Sequence, residues 1–398
     1  MPDRQTVLYI SYDGMLEPLG QSQVLGYLEQ LASGRRVHLI SFEKPADWAQ
    51  ADKRRAVETR IAAAGIVWHP LRYHKRPSVP ATLFDVAHGT ARAAALVARH
   101  QIGLIHARSY VAALIGLQVK RLTGAKLLFD MRGLWPDERV DGNIWPKDGA
   151  VYRGVKRLER RLLAGADHIV TLTHASRDVI AGFDALAGKA TPIDVIPTCA
   201  DLDRFRPDPT VQKDGFVLGY VGSVGTWYRF DIVLECFRLI LDRRPEARLL
   251  VINRGEGAII AESLDRARIG PAKVEVAAAD HHDMPRHIAR MTVGAAVIKP
   301  VFSKIASAPT KLAEYLGCGV PCLGNVNVGD MEEILEGDRT GVALDAMTPE
   351  ACARGVDRLF ALLEEPDLAE RCRRVALARF SLDGGVADYR RIYTSLLA

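Results

Sequence analysis

The sequence predicts an α/β protein made of two Rossmann-like, doubly wound domains facing a cleft. Three observations predict it. Short runs of β-branched and apolar residues alternate with longer amphipathic runs along the whole chain. The alternation stops once, at a charged, proline-containing stretch near residue 201, and then restarts. The length of 398 residues exceeds one usual domain and suits two of about 150–200 residues.

In the first half the strand pattern falls at 7–11, 37–41, 66–69, 104–106, 126–130, 168–172 and 194–196. Helical periodicity lies between them, at 21–33, 54–64, 84–100 and 151–164. Asp201-Leu202-Asp203-Arg204-Phe205-Arg206-Pro207-Asp208-Pro209 then reads as a linker, because its two prolines and its charges suit neither period. Strands recur at 217–221, 248–253, 274–277, 294–298, 321–324 and 342–344, with helices at 230–243, 284–289, 311–317 and 349–364. No short-period repeat or low-complexity segment interrupts the pattern.

Composition narrows the function classes. Apolar residues make up 48% and charged residues 25%, as in a soluble globular chain and unlike a disordered or fibrous one. No run approaches the roughly 20 apolar residues of a membrane helix. Val7-Leu8-Tyr9-Ile10 is too short for a signal peptide and is soon followed by Asp13 and Glu17, so a cytoplasmic protein is expected. Cys199, Cys236, Cys318, Cys322, Cys352 and Cys372 all lie at or beyond residue 199 without zinc-ligand spacing, and are expected to be reduced and buried. The net charge of +5 hides an asymmetry, with about +8 on residues 1–200 and about −3 on residues 201–398. No recognised nucleic-acid-binding motif accompanies the basic residues, so no nucleic-acid partner is expected.

Ligands of doubly wound sheets bind at the carboxyl ends of strands, which confines the search to strand-to-helix loops. Five stand out. The first, 11–22, contains Gly20 for close backbone approach, with Gln21 and Ser22 opening a helix whose N-terminus attracts phosphate. It lacks the G-x-G-x-x-G of dinucleotide sites. The second, 129–139, packs Asp130, Arg132, Asp137, Glu138 and Arg139 after an apolar strand, with Arg108 at the end of the preceding strand. Its alternative reading is an Asp130–Arg132 or Glu138–Arg139 ion pair. The third, 219–229, includes Ser223 and Arg229 and has Gly222 and Gly225 for approach of backbone amides to a phosphate or base, with Trp227 and Tyr228 either stacking on something flat or filling the interdomain surface. The fourth, 253–257, carries Glu256 and Gly257 in a turn that either admits a base or is a plain connection. The fifth, 299–321, clusters Lys299, Lys304 and Lys311 at a short helix. A helix N-terminus with lysine is a phosphate cradle, and Glu314 one turn on suits a ribose diol. The alternative there is an ordinary surface Lys311–Glu314 pair.

Together these segments resemble the retaining, GT-B-fold glycosyltransferases of family 4, of the bacterial surface-polysaccharide type. Val195-Ile196-Pro197-Thr198-Cys199-Ala200-Asp201-Leu202-Asp203-Arg204-Phe205 resembles the interdomain V-I-P-N-G-V-D-x-x-R-F. Residues 309–321 are similar to P-[ST]-K-x-x-E-Y-x-A-x-G-x-P, residues 253–257 to the V-G-x-G-P turn, and 132–137 to R-D-x-W-P-[DE]. The resemblance implies an acceptor-binding domain at 1–200 and a donor-binding domain at 201–385, with a final helix at 386–398 crossing back onto the first. It implies hexosyl transfer, with retention and without a metal cofactor, from a UDP- or GDP-linked sugar to a hydroxyl of a glycan or lipid-linked acceptor.

Under that resemblance the donor-binding residues are Gly20, Gln21, Gly222, Ser223, Arg229, Glu256, Gly257, Lys299, Lys311 and Glu314, and the catalytic candidates are Asp130, Arg132 and Arg108. There are departures. The earlier glutamate of the family's E-x7-E falls on Ala306, the Arg and Lys of its G-R-x-x-x-x-K-G on Ser223 and Tyr228, and its first-domain His on Arg132. Arg229, Lys299, Lys304 and Lys311 are the candidates to replace the missing cations. Asp201-Leu202-Asp203 matches the D-x-D of metal-dependent transferases, but its linker position argues against a metal. The basic stretch 151–164, with Arg153, Lys156, Arg157, Arg160 and Arg161, suits either an anionic membrane surface or a solvated helix packed by its apolar stripe. Trp68, Leu71 and Tyr73 beside Arg72, Lys75 and Arg76 are a second candidate membrane contact. A sugar-nucleotide 2-epimerase and a non-catalytic sugar-nucleotide-binding subunit remain as alternatives.

Overall fold

In the computed structural model, which describes residues 6–213, 215–280 and 282–398, the chain divides into two compact units. The first takes the residues up to Val140, Trp145–Ile196 and Leu382–Ala398; the second takes Asp141–Ile144 and Pro197–Ser381.

The first unit is built on seven strands: β1 (Val7–Ser11), β2 (Val37–Glu43), β3 (Val67–Arg72), β4 (Leu104–Arg108), β5 (Lys126–Asp130), β6 (His168–Thr171) and β7 (Ile193–Val195). All pair in parallel, in the order β3-β2-β1-β4-β5-β6-β7. The central strands are buried along their whole length, because helices cover both faces of such a sheet. This is why they read as unbroken apolar runs. The last helix, Leu382–Leu397, packs against this unit: Tyr389 meets Tyr27 edge-on at 5.7 Å, Gln30 donates to Asp383 at 2.9 Å and Arg35 to Thr394 at 2.8 Å.

The second unit has β8 (Val217–Val221), β9 (Arg248–Ile252), β10 (Val274–Ala277), β11 (Val293–Ala295), β12 (Cys322–Asn325) and β13 (Gly341–Leu344), parallel in the order β10-β9-β8-β11-β12-β13. Its six cysteines are free and buried. Arg373 ties the linker motif down. It donates to the carbonyls of Leu202 at 2.8 Å, Phe205 at 2.6 Å and Gly317 at 2.9 Å. A Cβ on Gly317 would stand 2.8 Å from the Leu202 side chain, so the linker and the end of the helix Thr310–Gly317 close only on glycine.

Three elements depart from the periodicity. The first helix begins at Pro18, favoured in a first turn, and runs through a π-helical turn at Gln21–Leu25. The helix expected at 84–100 begins at Ser78, since Pro80 in the first turn costs no hydrogen bond. The strand expected at 294–298 ends at Ala295, because Val297 and Ile298 pair instead with the loop after β8. Among the described residues no helix is long and apolar enough to cross a membrane.

Beneath β2 and β3 lies a histidine cluster. His38 Nδ1 is 3.0 Å from His69 Nε2 with the rings stacked, His100 lies 4.4 Å from His38, and Arg92 is 3.1 Å from His69 Nδ1. Burial, reinforced by the neighbouring cationic groups, pushes both His38 and His69 down to about 4. The unfolded chain therefore binds more protons than the folded one between about pH 6.5 and pH 4, so stability falls as pH drops through that window. Urea unfolding across pH 4–7.5 should show this slope, and His38→Leu should flatten it. An unchanged slope in that variant would show that the cluster does not titrate on unfolding.

Candidate functional site

A doubly wound sheet opens its ligand crevice where the strand order reverses. In the first unit that point lies between β1 and β4, and in the second between β8 and β11. The predicted site residues gather at these two places.

At the first, register sets Ser11 beside Arg108 and Arg108 beside Asp130, so three strand ends line up. Arg132 adopts φ +58° two residues beyond the end of β5, and Ser109 φ +68° immediately after β4. Left-handed backbone in non-glycine residues costs about 1–3 kcal/mol and concentrates at functional turns. Asp130 is buried, with Arg132 at 3.8 Å, the Tyr389 hydroxyl donating at 3.1 Å and His106 Nε2 at 3.5 Å. Burial would raise its carboxyl, but Arg132, His106 and Arg108 together hold it below its ordinary value. Burial also depresses His106 against the pull of Asp130, and Tyr393 bonds its Nδ1 at 2.6 Å. Asp130 Oδ1, Arg108 Nε and His106 Nε2 are buried without hydrogen-bond partners. The structure thus brings Asp130, Arg132 and Arg108 together. The expected Asp130–Arg132 pair exists, but it is buried rather than on the surface. Asp130 is enclosed and charge-paired with Arg132. Tyr389 and Tyr393 were not legible as site residues, since nothing local marks a terminal helix as a partner of β4 and β5.

The loop containing Gly20 is folded on itself. A Cβ on Gly20 would fall 2.1 Å from the Gly14 carbonyl, so the glycine serves the loop's own packing. Gln21 is half-buried and donates to the Leu16 carbonyl at 3.4 Å. Buried Glu43 braces this loop, accepting from Met15 N at 2.8 Å, Leu16 N at 3.2 Å and Ser41 Oγ at 2.6 Å. Asp137 is likewise internal: Tyr152 donates to it at 2.8 Å and Lys156 lies at 3.1 Å, anchoring the helix Ala150–Gly165.

At the second crevice the loops after β8 and β11 are stitched together. Arg229 N donates to the Val297 carbonyl at 3.0 Å, Lys299 N to the Trp227 carbonyl at 2.9 Å, and Tyr228 bridges Ile298. Thr226, in the same loop, has φ +54°. Glu256 does not face outward to a base. Its carboxylate accepts from Ser223 Oγ at 2.7 Å, Val224 N at 3.0 Å and Asn253 Nδ2 at 2.6 Å. Against the opposing effect of burial, these bonds hold it below its usual range. Since Glu256 takes the Val224 amide and Ser223 Oγ the Gly225 amide, those two amides are not open to a phosphate as expected. Gly257 begins the helix Gly257–Arg266.

The four candidate cations separate. Arg229 is paired bidentately with Asp231, at 2.9 and 2.7 Å. Lys299 joins the stitch through its backbone. Lys304 lies over the Trp227 ring at 4.0 Å. Lys311 is buried with its Nζ 4.1 Å from the centre of the Tyr228 ring and 4.6 Å from that of Tyr220, without a hydrogen-bond partner. The expected surface pairing of Lys311 with Glu314 is therefore not what forms; both residues are buried on the helix Thr310–Gly317. Asp201 Oδ1 accepts from the amides of Asp203 and Arg204, both at 3.2 Å, and so caps its own turn.

Comparison with known proteins agrees with this geometry. Residues 22–199 match the family model of the glycosyl transferase 4-like domain, and residues 215–361 that of glycosyl transferases group 1. The chain belongs to the GT-B glycosyltransferases. Among solved structures, a glycosyltransferase from Rickettsia africae superposes with a TM-score of 0.73 at 14% identity, covering 98% of each chain. Anabaena HepE in complex with UDP and glucose gives 0.68 at 15% identity, over 98% of this chain and 99% of that one. A Listeria monocytogenes structure described as a UDP-N-acetylglucosamine 2-epimerase gives 0.56 at 13% identity, over 97% and 94%. No curated protein matches the chain by sequence.

Removing Arg132 should expose how the first-unit cluster is balanced. Arg132→Ala leaves a buried carboxylate without its nearest arginine, worth about 3 kcal/mol of lost stability at pH 7. The loss should shrink as the pH falls, because without Arg132 burial favours protonation of Asp130, and Asp130→Asn in the same chain should recover much of it. Chemical denaturation of the single and double variants at pH 7 and pH 4 checks this; equal losses at both would contradict the arrangement.

Proposed function

We propose that the chain is a retaining, metal-independent hexosyltransferase of family 4, acting in surface-polysaccharide synthesis. It moves a sugar from a UDP- or GDP-linked donor to a hydroxyl of a glycan or lipid-linked acceptor. The observation that carries this reading is the second-unit crevice. There an unpartnered lysine and a glutamate share one buried helix face beside Gly222, at the point where a doubly wound sheet binds nucleotides.

Loss of a nucleoside diphosphate requires charge stabilisation of the leaving oxygens, which preorganised cations and helix N-termini provide. Glu314 suits the ribose diol as an acceptor of hydrogen bonds. Ser223 and Asn253, locked by Glu256, keep the loop after β8 rigid before the donor arrives. In the first unit, Arg132 and Arg108 present positive charge at the strand ends, where the acceptor is expected. Retention then follows from front-face attack, in which a leaving-phosphate oxygen takes the acceptor proton; the enclosure of Asp130 favours this over a covalent sugar–enzyme intermediate. Internal capping by Asp201 supports a role for the D-x-D segment in the linker turn rather than in metal binding. UDP in the HepE structures supports a sugar-nucleotide donor.

A cytoplasmic enzyme with a lipid-linked acceptor would work against the membrane surface. In the helix Ala150–Gly165 the inward face carries Leu162 and Leu163, leaving Arg153, Arg157, Arg160 and Arg161 exposed. Trp68 donates to Ser41 and Tyr73 packs on Tyr12, so these aromatics are part of the domain. The exposed apolar residues are instead Val79, Leu83 and Phe84, beside Arg72, Lys75 and Arg76. Co-sedimentation with anionic phospholipid vesicles should be reduced at least several-fold by replacing Val79, Leu83 and Phe84 with serine. Equal binding by that variant would remove this contact.

Incubation with UDP- and GDP-hexoses separates the classes. Acceptor-dependent release of nucleotide marks a transferase, acceptor-independent release an epimerase or hydrolase, and binding without turnover a binding subunit. Glu314→Ala should weaken donor affinity at least tenfold by calorimetry; an unaltered affinity would sink the assignment of the donor site.

A further inference from the structure

The two basic residues that resemblance places in the loop after β8 are absent here, and the loop's geometry shows what occupies their positions. Ser223 gives its hydroxyl to Glu256, and Tyr228 lies under a cation that comes from elsewhere. That cation is Lys311. The residue is only 7% exposed, and its Nζ lacks a hydrogen-bond partner. An ammonium carries three donors, and leaving them unsatisfied away from water is costly unless a ligand supplies acceptors.

The groups around this ammonium are two aromatic rings and a glycine, none of which accepts its protons. Tyr220 of β8 and Tyr228 of the following loop supply ring faces at 4.6 and 4.1 Å, a cation–π arrangement that fixes the ammonium without using its protons. Gly222, at φ +101°, faces it without a side chain. A Cβ there would stand 3.4 Å from Nζ, in the space an anion would enter. The two loop amides named above, of Val224 and Gly225, are already engaged internally. Arg229 is committed to Asp231.

We infer that Lys311 is the cation that receives the donor diphosphate, relocated from the loop after β8 to the helix Thr310–Gly317, with Tyr220 and Tyr228 as the positioning residues that hold it toward Gly222. This rests on the sugar-nucleotide reading above. It goes further in assigning one charge-bearing atom, and in giving donor binding a pH dependence. Burial lowers the Lys311 ammonium to about 8, against smaller opposing contributions from Cys322 and Glu314. The titratable groups around it are Tyr220 on β8, Tyr228 on its loop, Cys322 on β12 and Glu314 on its own helix. Burial raises Tyr220, Tyr228 and Cys322, so they stay neutral while Lys311 titrates. Only the protonated lysine attracts the diphosphate. Affinity is therefore level below about pH 8 and falls above it.

Calorimetric titration of the full chain with UDP, GDP, uridine and guanosine tests this, using whichever diphosphate binds. At pH 7, Lys311→Met should weaken the diphosphate at least tenfold while changing the matching nucleoside less than twofold. Lys311→Arg should stay within about threefold of the parent and keep its affinity at pH 9.5, where the parent weakens. Because Lys311→Met removes a buried, unsatisfied charge, its thermal midpoint should equal or exceed the parent's, unlike a lysine needed for folding. Equal loss of diphosphate and nucleoside, or undiminished diphosphate affinity in Lys311→Met, would overturn the assignment while leaving the sugar-nucleotide reading intact. A parent chain that binds neither diphosphate overturns both.

Discussion

The second unit depends on a short backbone pairing between the loops that leave β8 and β11. Arg229 with Val297, Lys299 with Trp227, and the Tyr228–Ile298 bridge hold these segments side by side at the sheet's reversal point. Much else follows from that constraint. It ends β11 early, because residues that would have extended the strand turn to the neighbouring loop. It sets Tyr228 and Trp227 beneath the ring-facing lysines of the next connection. It also leaves Gly222 and Ser223 at a fixed height, where Glu256 braces them from the turn after β9. Backbone hydrogen bonds suit this task, since they are indifferent to side-chain identity and persist while the loop's chemistry changes.

The first unit solves the corresponding problem with a charge. Asp130 stands at the end of β5 among Arg132, Arg108, His106 and Tyr389, and no hydrocarbon packing would hold these groups in one place. A buried carboxylate of this kind adds little net stability, because desolvation offsets most of the attraction, but it specifies which groups converge. The last helix is part of the same device. Tyr389 and Tyr393 reach Asp130 and His106 from the far end of the chain.

Some of the unsatisfied groups and some of the backbone strain fall at the two reversal points. Lys311 Nζ, Asp130 Oδ1, Arg108 Nε and His106 Nε2 lie there, and so do the left-handed residues Ser109, Arg132 and Thr226. Arg373 shows the contrast. Away from those points its guanidinium is bound to three carbonyls and closes the linker on the helix Thr310–Gly317.

The sequence by itself determined the two-sheet architecture, because a parallel strand buried on both faces must be an unbroken apolar run and its crossover helix must be amphipathic. It also singled out the strand-end loops as candidates, since loops on a rigid scaffold present charged and glycine-rich residues to ligands. Asp130, Arg132, Arg108, Lys311 and Glu314 were all legible in this way. Tertiary structure alone decided which of them are paired, braced or left open. Spacing along the chain cannot tell that Arg229 is neutralised by Asp231, that Glu256 turns inward, or that Lys311 stands against one ring of β8 and one of the loop after it. Nor can it reveal that a helix some 250 residues after β5 supplies its partners. Those outcomes depend on burial and on contacts between distant segments, and both exist only once the sheets have formed.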